Sequence, residues 1–303
     1  MGRVINLFTD SAINDYIKKM KCVKTITKHT NRVNSLLRLK DGKIASCSYY
    51  KTIRIFDPSN DYQCAQVLNR HSDYIYSICQ LGDGTIVSCS LDRTIMFNNY
   101  TIKKAHNDII YKVITLSNNR IASCSADKTI KIWKSNPPYS DTPIKVLEGH
   151  SDWVNSLLYI KEQMMISGSD DKTLRLWNMS TYQCDTVIKG VECISTNSLY
   201  QIDKDRVIVG GYESFSIVNI DKCFIKKKIE DKALGGVNCI LKLRDGNIIC
   251  GCDDANFCFN DMETEEYEIT NNNHKDYISD LLLIDDNTFL SCSNDRTIKV
   301  WKY

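Results

Sequence analysis

Ser123-Cys124-Ser125-Ala126-Asp127-Lys128-Thr129-Ile130-Lys131-Ile132-Trp133 is the stretch on which the fold turns, because it returns twice more with small changes. The copies are Ser167-Gly168-Ser169-Asp170-Asp171-Lys172-Thr173-Leu174-Arg175-Leu176-Trp177 and Ser291-Cys292-Ser293-Asn294-Asp295-Arg296-Thr297-Ile298-Lys299-Val300-Trp301. Two weaker relatives stand upstream, Ser46 to Phe56 and Ser88 to Asn98. From Thr129 to Trp133 apolar and polar residues alternate with period two, the signature of a strand with one face buried. The acidic position then serves as a marker for the whole chain: Tyr50, Asp92, Asp127, Asp171, Glu213, Asp254 and Asp295, at intervals of 42, 35, 44, 42, 41 and 41 residues. Self-similarity at this period is the mark of a repeat architecture.

Each unit also carries a tight turn, such as Asp41-Gly42, Asp83-Gly84 or Asp245-Gly246, ahead of another β-rich run. No helix of ten or more residues fits inside a unit. Four short strands in about 41 residues make one blade of a propeller. The expectation is therefore an all-β chain: a seven-bladed β-propeller of four-stranded antiparallel blades occupying residues 22–303, with residues 1–21 as an N-terminal extension.

The bulk properties narrow the function classes. A hydrophobic fraction of 43% with 25% charged residues describes a globular protein rather than a disordered one. A net charge of +2 supplies no field that would draw nucleic acid or an anionic membrane, and the longest basic run, Lys226-Lys227-Lys228, reads as a solvated strand edge. No apolar run approaches the length of a membrane span. Residues 1–20 lack the uninterrupted apolar centre of a signal peptide, and Asn6 stands where a myristoylation signal needs Ser or Thr. The expected compartment is the cytoplasm, and a monomer is the expected state.

Fourteen cysteines would be a disulfide framework in a short secreted chain, but here their placement speaks for packing. Cys47, Cys89, Cys124 and Cys292 each sit in the middle of a Ser-Cys-Ser triplet, where a small buried hydrophobe recurs. Cys250 and Cys252 lie at the corresponding place in another repeat, with no second pair at zinc-site spacing. No metal and no cofactor is expected.

The recurring His, Ser-x-Ser-x-Asp-x-Thr and Trp resemble the WD40 family over about 280 of the 303 residues. The Trp-Asp dipeptide that names the family is mostly eroded, since Lys134, Asn178 and Lys302 follow Trp133, Trp177 and Trp301. The resemblance implies structural tetrads: His106, Ser123, Asp127 and Trp133 in the third blade; His150, Ser167, Asp171 and Trp177 in the fourth; His274, Ser291, Asp295 and Trp301 in the seventh. It further implies that a strand near residues 22–28 completes the last blade and closes the ring. The fifth and sixth blades lack the His and carry Asn219 and Asn260 at the expected Trp position, while Asn98 and Phe56 replace Trp in the second and first. Residues 1–20 read as a short amphipathic helix on the propeller or as a partner-binding arm.

Ser, His and Asp also spell a hydrolase triad, but a catalytic triad occurs once, beside an oxyanion hole. Here the set repeats, and all five histidines (His29, His71, His106, His150 and His274) belong to the repeat. An enzyme is not expected and no catalytic residue is assigned.

The resemblance places partner contacts on the wide top face, three and five residues after each His and just before each Asp. The flanking pairs are Arg32 and Asn34, Tyr74 and Tyr76, Ile109 and Tyr111, Trp153 and Asn155, and Tyr277 and Ser279; the residues before the acid include Tyr49, Asp170, Tyr212, Asp253 and Asn294. Tyr and Trp combine large contact area with a polar tip, which suits a peptide or protein loop. The expected partners are proteins or peptides. A substrate-recognition subunit of a ubiquitin ligase and a G-protein β-like signalling propeller are the alternatives. The first loses ground because the blade ends, such as Trp133-Lys134-Ser135-Asn136, lack the Trp-Asp-x-Arg often found there. The second normally has an N-terminal coiled-coil helix, for which residues 1–20 are too short.

Overall fold

Every repeat carries period-two runs separated by turns, and in the computed structural model each becomes a four-stranded antiparallel sheet. The structure describes residues 19–160, 163–260, 267–271 and 274–303, and the helix or arm expected at the N-terminus lies outside them for residues 1–18. Seven sheets form a ring. In the fourth blade the order is Val154–Ile160, Met164–Ser169, Thr173–Asn178, Gln183–Lys189, each strand pairing with the next. The first strands of successive blades meet one another around the axis, so they lie innermost. The last strand alternates between exposed and half-buried positions, as expected of an outer strand with one face on solvent. Among the described residues no helix is long and apolar enough to cross a membrane.

The core lies between blades rather than within them. Ala122, Ile130 and Ile132 of the third blade pack with Val154, Leu157, Met165 and Trp177 of the fourth. Each sheet thus buries both faces, one on each neighbour, and neither neighbour can be removed without exposing apolar surface.

Lys21–Ile26 closes the ring. It pairs antiparallel with Ile298–Lys302, from Lys21 opposite Lys302 to Ile26 opposite Ile298, with an irregularity between Cys22 and Lys24. The strand begins one residue before the expected start and ends ahead of the loop that carries His29.

The unequal spacing of the repeats has a physical cause. The second blade is short because its last two strands, Ile95–Met96 and Thr101–Ile102, have two residues each. The third blade is long because residues 135–142 reach back over the second. Tyr139 stacks on Tyr100 at 4.9 Å and lies 4.8 Å from Phe97, while the Tyr100 hydroxyl donates to Asp141 Oδ1 at 2.6 Å. One blade's insertion covers the apolar surface that its neighbour's deletion would leave open.

The middle residue of Ser-x-Ser, or of the matching Val209-Gly210-Gly211 and Cys250-Gly251-Cys252, points toward the next blade, and its size follows the gap. Cys47, Cys89, Cys124 and Cys292 fill it with a fully buried thiol. Gly168, Gly210 and Gly251 stand where there is no room: a Cβ would meet Cys193 Sγ at 2.4 Å, Val237 O at 2.2 Å and Ile278 Cγ2 at 2.5 Å respectively. All fourteen cysteines are free. Burial pushes the Cys250 thiol up to about 12, so it is a packing group and not a poised thiolate.

Because the obstacle at Gly210 is backbone, Gly210→Ala must displace the first strand of the sixth blade. It is expected to destabilise the fold by about 2 kcal/mol in equilibrium denaturation. Deleting residues 21–26 strips the outer edge of Ile298–Lys302 of its pairing, leaving only Thr288–Ser293 on the other side, and is expected to abolish cooperative thermal unfolding, measured by circular dichroism.

Candidate partner-binding face

In three blades the tetrad groups come within hydrogen-bonding distance. His106 Nδ1 lies 2.9 Å from Asp127 Oδ2, its Nε2 lies 2.8 Å from Ser123 Oγ, and Trp133 Nε1 donates to that same Oγ at 2.8 Å. The corresponding distances are 2.8, 2.7 and 2.8 Å for His150, Asp171, Ser167 and Trp177. For His274, Asp295, Ser291 and Trp301 they are 2.8, 2.6 and 2.8 Å. The arrangement dictates the proton positions. An indole N–H can only donate, so the serine oxygen accepts it and gives its own proton to Nε2. The ring is therefore neutral, with its proton on Nδ1 facing the carboxylate.

Electrostatics agree with this reading. Burial lowers His106, His150 and His274, and their aspartate partners only partly oppose it. Burial raises Asp127, yet the His106 ring, the Thr129 hydroxyl and the Asn107 N–H outweigh it and hold the carboxyl below the usual range. The second serine of the triplet finishes the job. Ser125 Oγ donates to Asp108 O at 3.3 Å and accepts from Asp127 N at 3.0 Å. Two top-face loops, the one through Asp108 and the turn at Ala126 to Lys128, are thereby tied to one another.

The other blades depart from this pattern, each for a visible reason. In the first, His29 Nε2 lies 2.6 Å from Ser46 Oγ, but Tyr50 points into solvent and His29 Nδ1 is buried with no partner. Burial, then the Arg54 charge, lowers this histidine to about 3. The turn itself is unchanged, since Lys51 at φ 66° matches Lys128 at φ 70°. In the second blade Asn98 accepts from Ile86 N at 3.3 Å and from Arg70 Nη2 at 2.9 Å, replacing the indole with a polar clasp. The fifth blade corrects two expectations. Val218, opposite Val207, takes the place that Trp133 takes opposite Ile121, and Asn219 falls one step further along, opposite Arg206. The turn is one residue shorter, and Glu213, at φ 48°, occupies the left-handed position that Lys128 holds elsewhere rather than the carboxylate position.

The tied loops surround a funnel of about 260 Å³ at the axis. Its wall has two unlike halves. Across the first four blades runs a chain of rings: Tyr49 and Tyr76 at 5.6 Å, Tyr76 and Tyr111 at 5.3 Å, Tyr111 and Trp153 at 6.1 Å. Tyr74 stacks on the outer side of Tyr49 at 4.3 Å, and the Arg32 guanidinium lies 5.8 Å from the Tyr49 ring centre. The remaining wall is mostly polar, and one recurring pair fifteen residues apart runs through it. Asn155 donates to Asp170 Oδ1 at 2.7 Å, Asn238 to Asp253 Oδ1 at 2.6 Å, and Ser279 Oγ to Asn294 Oδ1 at 3.2 Å. Burial raises both Asp170 and Asp253 above the usual carboxylate range. Across the axis, Lys112 Nζ donates to Asn197 Oδ1, and Asn197 Nδ2 donates to Ser279 O at 3.1 Å and Asn34 O at 3.4 Å, joining the third, fifth, seventh and first blades.

Of the residues expected to face a partner, Tyr49, Tyr76, Tyr111, Trp153, Asn155, Asp170, Tyr277 and Asn294 line the funnel. Arg32, Tyr74 and Asp253 stand behind that lining, bound to it through Tyr49 and Asn238, whereas Ile109 and Tyr212 lie outside it. Asn155 is not a surface residue: it is 6% exposed, because its amide spans Asp170 and the Cys193 carbonyl. The site residues missed from the sequence are Asn238, Ile194, Ser195 and Thr196. Asn238 follows Val237 as Asn155 follows Val154, a signal that was present; the fifth blade's entry carries no such pattern. Among the described residues, no group of three or more His, Cys, Asp or Glu could hold a metal ion.

Acid acts on the tetrads in a defined order. His106, His150 and His274 are lowered when folded and take protons near pH 6.5 when unfolded, so the stability they contribute is complete above about pH 6.5 and declines below it. The lowered carboxylates follow below about pH 4. Denaturation midpoints are expected to be level above pH 7 and to fall in these two stages. Tyr50→Asp gives His29 the partner it lacks and is expected to stabilise the protein by about 1 kcal/mol at pH 7, whereas Ser123→Ala, which strands an indole and an imidazole, is expected to cost about 1–3 kcal/mol.

The family model for the WD domain, G-beta repeat, matches residues 20–57, 62–99, 97–134, 141–178 and 266–302. The unmatched stretch contains the two blades without a histidine. No curated protein sequence matches the chain significantly. Among solved structures, the chain is similar to the crystal structure of the WD40 β-propeller domain of Doa1, with a TM-score of 0.75 at 18% identity over 93% of this chain and 97% of that one. With repeat matches over more than half its length and the repeat's tetrad geometry in three blades, the chain belongs to the WD40 family of β-propellers.

Proposed function

We propose that this propeller is a non-catalytic interaction scaffold or adaptor that receives a peptide or protein loop on its top face. The observation that carries this reading is the funnel itself, in which four rings form a continuous wall at the mouth of the axis, with Trp153 46% exposed at its rim. Exposed aromatic rings held in place by their neighbours offer contact area at little cost in side-chain freedom. Supporting a non-catalytic role, all five histidines are buried, and His71, His106, His150 and His274 each hold a serine and an aspartate of their own blade. The cytoplasm is the proposed compartment; ten of the cysteines are thiols buried in the blades, which suits a reducing environment.

The test is affinity purification with wild type beside a Tyr76→Ala/Trp153→Ala variant. The variant is expected to keep the wild-type melting profile and to lose the partners that wild type recovers. Identical partners from a folded variant would overturn the proposal.

A further inference from the structure

The two halves of the funnel wall meet at the fourth blade, and the groups there leave specific valences open. Asp170 N donates to Trp153 O at 3.0 Å, so the two residues are backbone neighbours, and both line the funnel. Asn155 gives its amide protons to Asp170 Oδ1 and Cys193 O, so its orientation is fixed, and its buried Oδ1 has no partner. Among the described residues, the funnel lining contains Asp170 as its one acid and no lysine or arginine. At the far end of the ring chain, Tyr49 is already covered, by Tyr74 and by the Arg32 guanidinium. The uncovered end is Tyr111 and Trp153, next to Asp170.

We propose that this corner is an arginine-recognition site: the guanidinium of a partner's arginine stacks on Trp153, whose ring is held by Tyr111 at 6.1 Å, and donates to Asp170 and to Asn155 Oδ1. The proposal rests on the reading of this face as the partner site and names the chemistry it selects. A guanidinium is planar, so one group can lie against a ring and still point paired N–H donors at two oxygens in its own plane. It is weakly hydrated and stacks well on aromatic faces, which an ammonium does less well. Burial, together with the nearby Asp152 charge, raises Asp170, so a cation brought there removes an existing electrostatic cost.

The test is selection of random displayed peptides on the immobilised full chain, with Tyr76→Ala/Trp153→Ala and Asp170→Asn as counter-selections. Asp170→Asn keeps an oxygen for the Asn155 amide while removing the charge, and circular dichroism melting checks that each variant is folded. The expected result is enrichment of one arginine in peptides that both variants lose, with about a tenfold loss of affinity when citrulline replaces that arginine. Peptides that depend on Tyr76 and Trp153 but carry no arginine, or bind Asp170→Asn equally well, would overturn the arginine site and leave the interaction face standing. Peptides indifferent to all three side chains would overturn both.

Discussion

Antiparallel pairing between Lys21–Ile26 and Ile298–Lys302 converts a row of seven sheets into a ring. An open row would end in two apolar blade faces and an unpaired outer edge on Ile298–Lys302, each an invitation to aggregate. Closure gives every blade two neighbours, and it is the neighbours that supply the core, as the shared cluster of the third and fourth blades illustrates. Local irregularity then becomes tolerable. The second blade can lose most of its outer strands because Tyr139 from the third blade covers Phe97 and Tyr100.

Within the closed ring, the tetrads act less as sources of stability than as positioning devices. A His–Asp–Ser–Trp chain joins the entry loop of a blade to its own third strand, and the Ser-x-Ser backbone clasp adds the turn at the top. Both ends of that clasp carry funnel residues: the entry loop leads into Tyr111 or Trp153, and the turn carries Asp170 or Asn294. Blades with complete tetrads therefore hold the contact surface most firmly. The ring chain runs over the first four blades and the amide and carboxylate pairs lie on the fourth, sixth and seventh, so the face has a direction, and a partner cannot bind it in an arbitrary orientation.

Repeat number, blade boundaries, the tetrad residues and most of the aromatic wall were legible in the sequence because they recur, and recurrence converts weak local signals into a strong one. Reading failed where recurrence failed. In the fifth blade a turn shortened by one residue moved Val218, not Asn219, into the place of the Trp and turned Glu213 into a left-handed turn residue. A marker count cannot register such a shift, because an equal interval is preserved when a deletion in the turn is offset elsewhere. The entry of that blade, Ile194 to Thr196, joined the funnel wall with no pattern to announce it.

What the sequence determined by itself is the repeat and its period, because strand alternation and the His, Ser, Asp and Trp spacings are local along the chain. Which residues meet at the funnel was decided only by the ring. Asn155 and Asp170 are fifteen residues apart, Tyr76 and Tyr111 belong to different blades, and Lys112 reaches Asn197 across the axis. Whether Asn155 is a surface contact or a buried clasp depends on the Cys193 carbonyl brought alongside by the next blade. Those contacts exist because closure fixes the angle between blades, a quantity that no single repeat encodes.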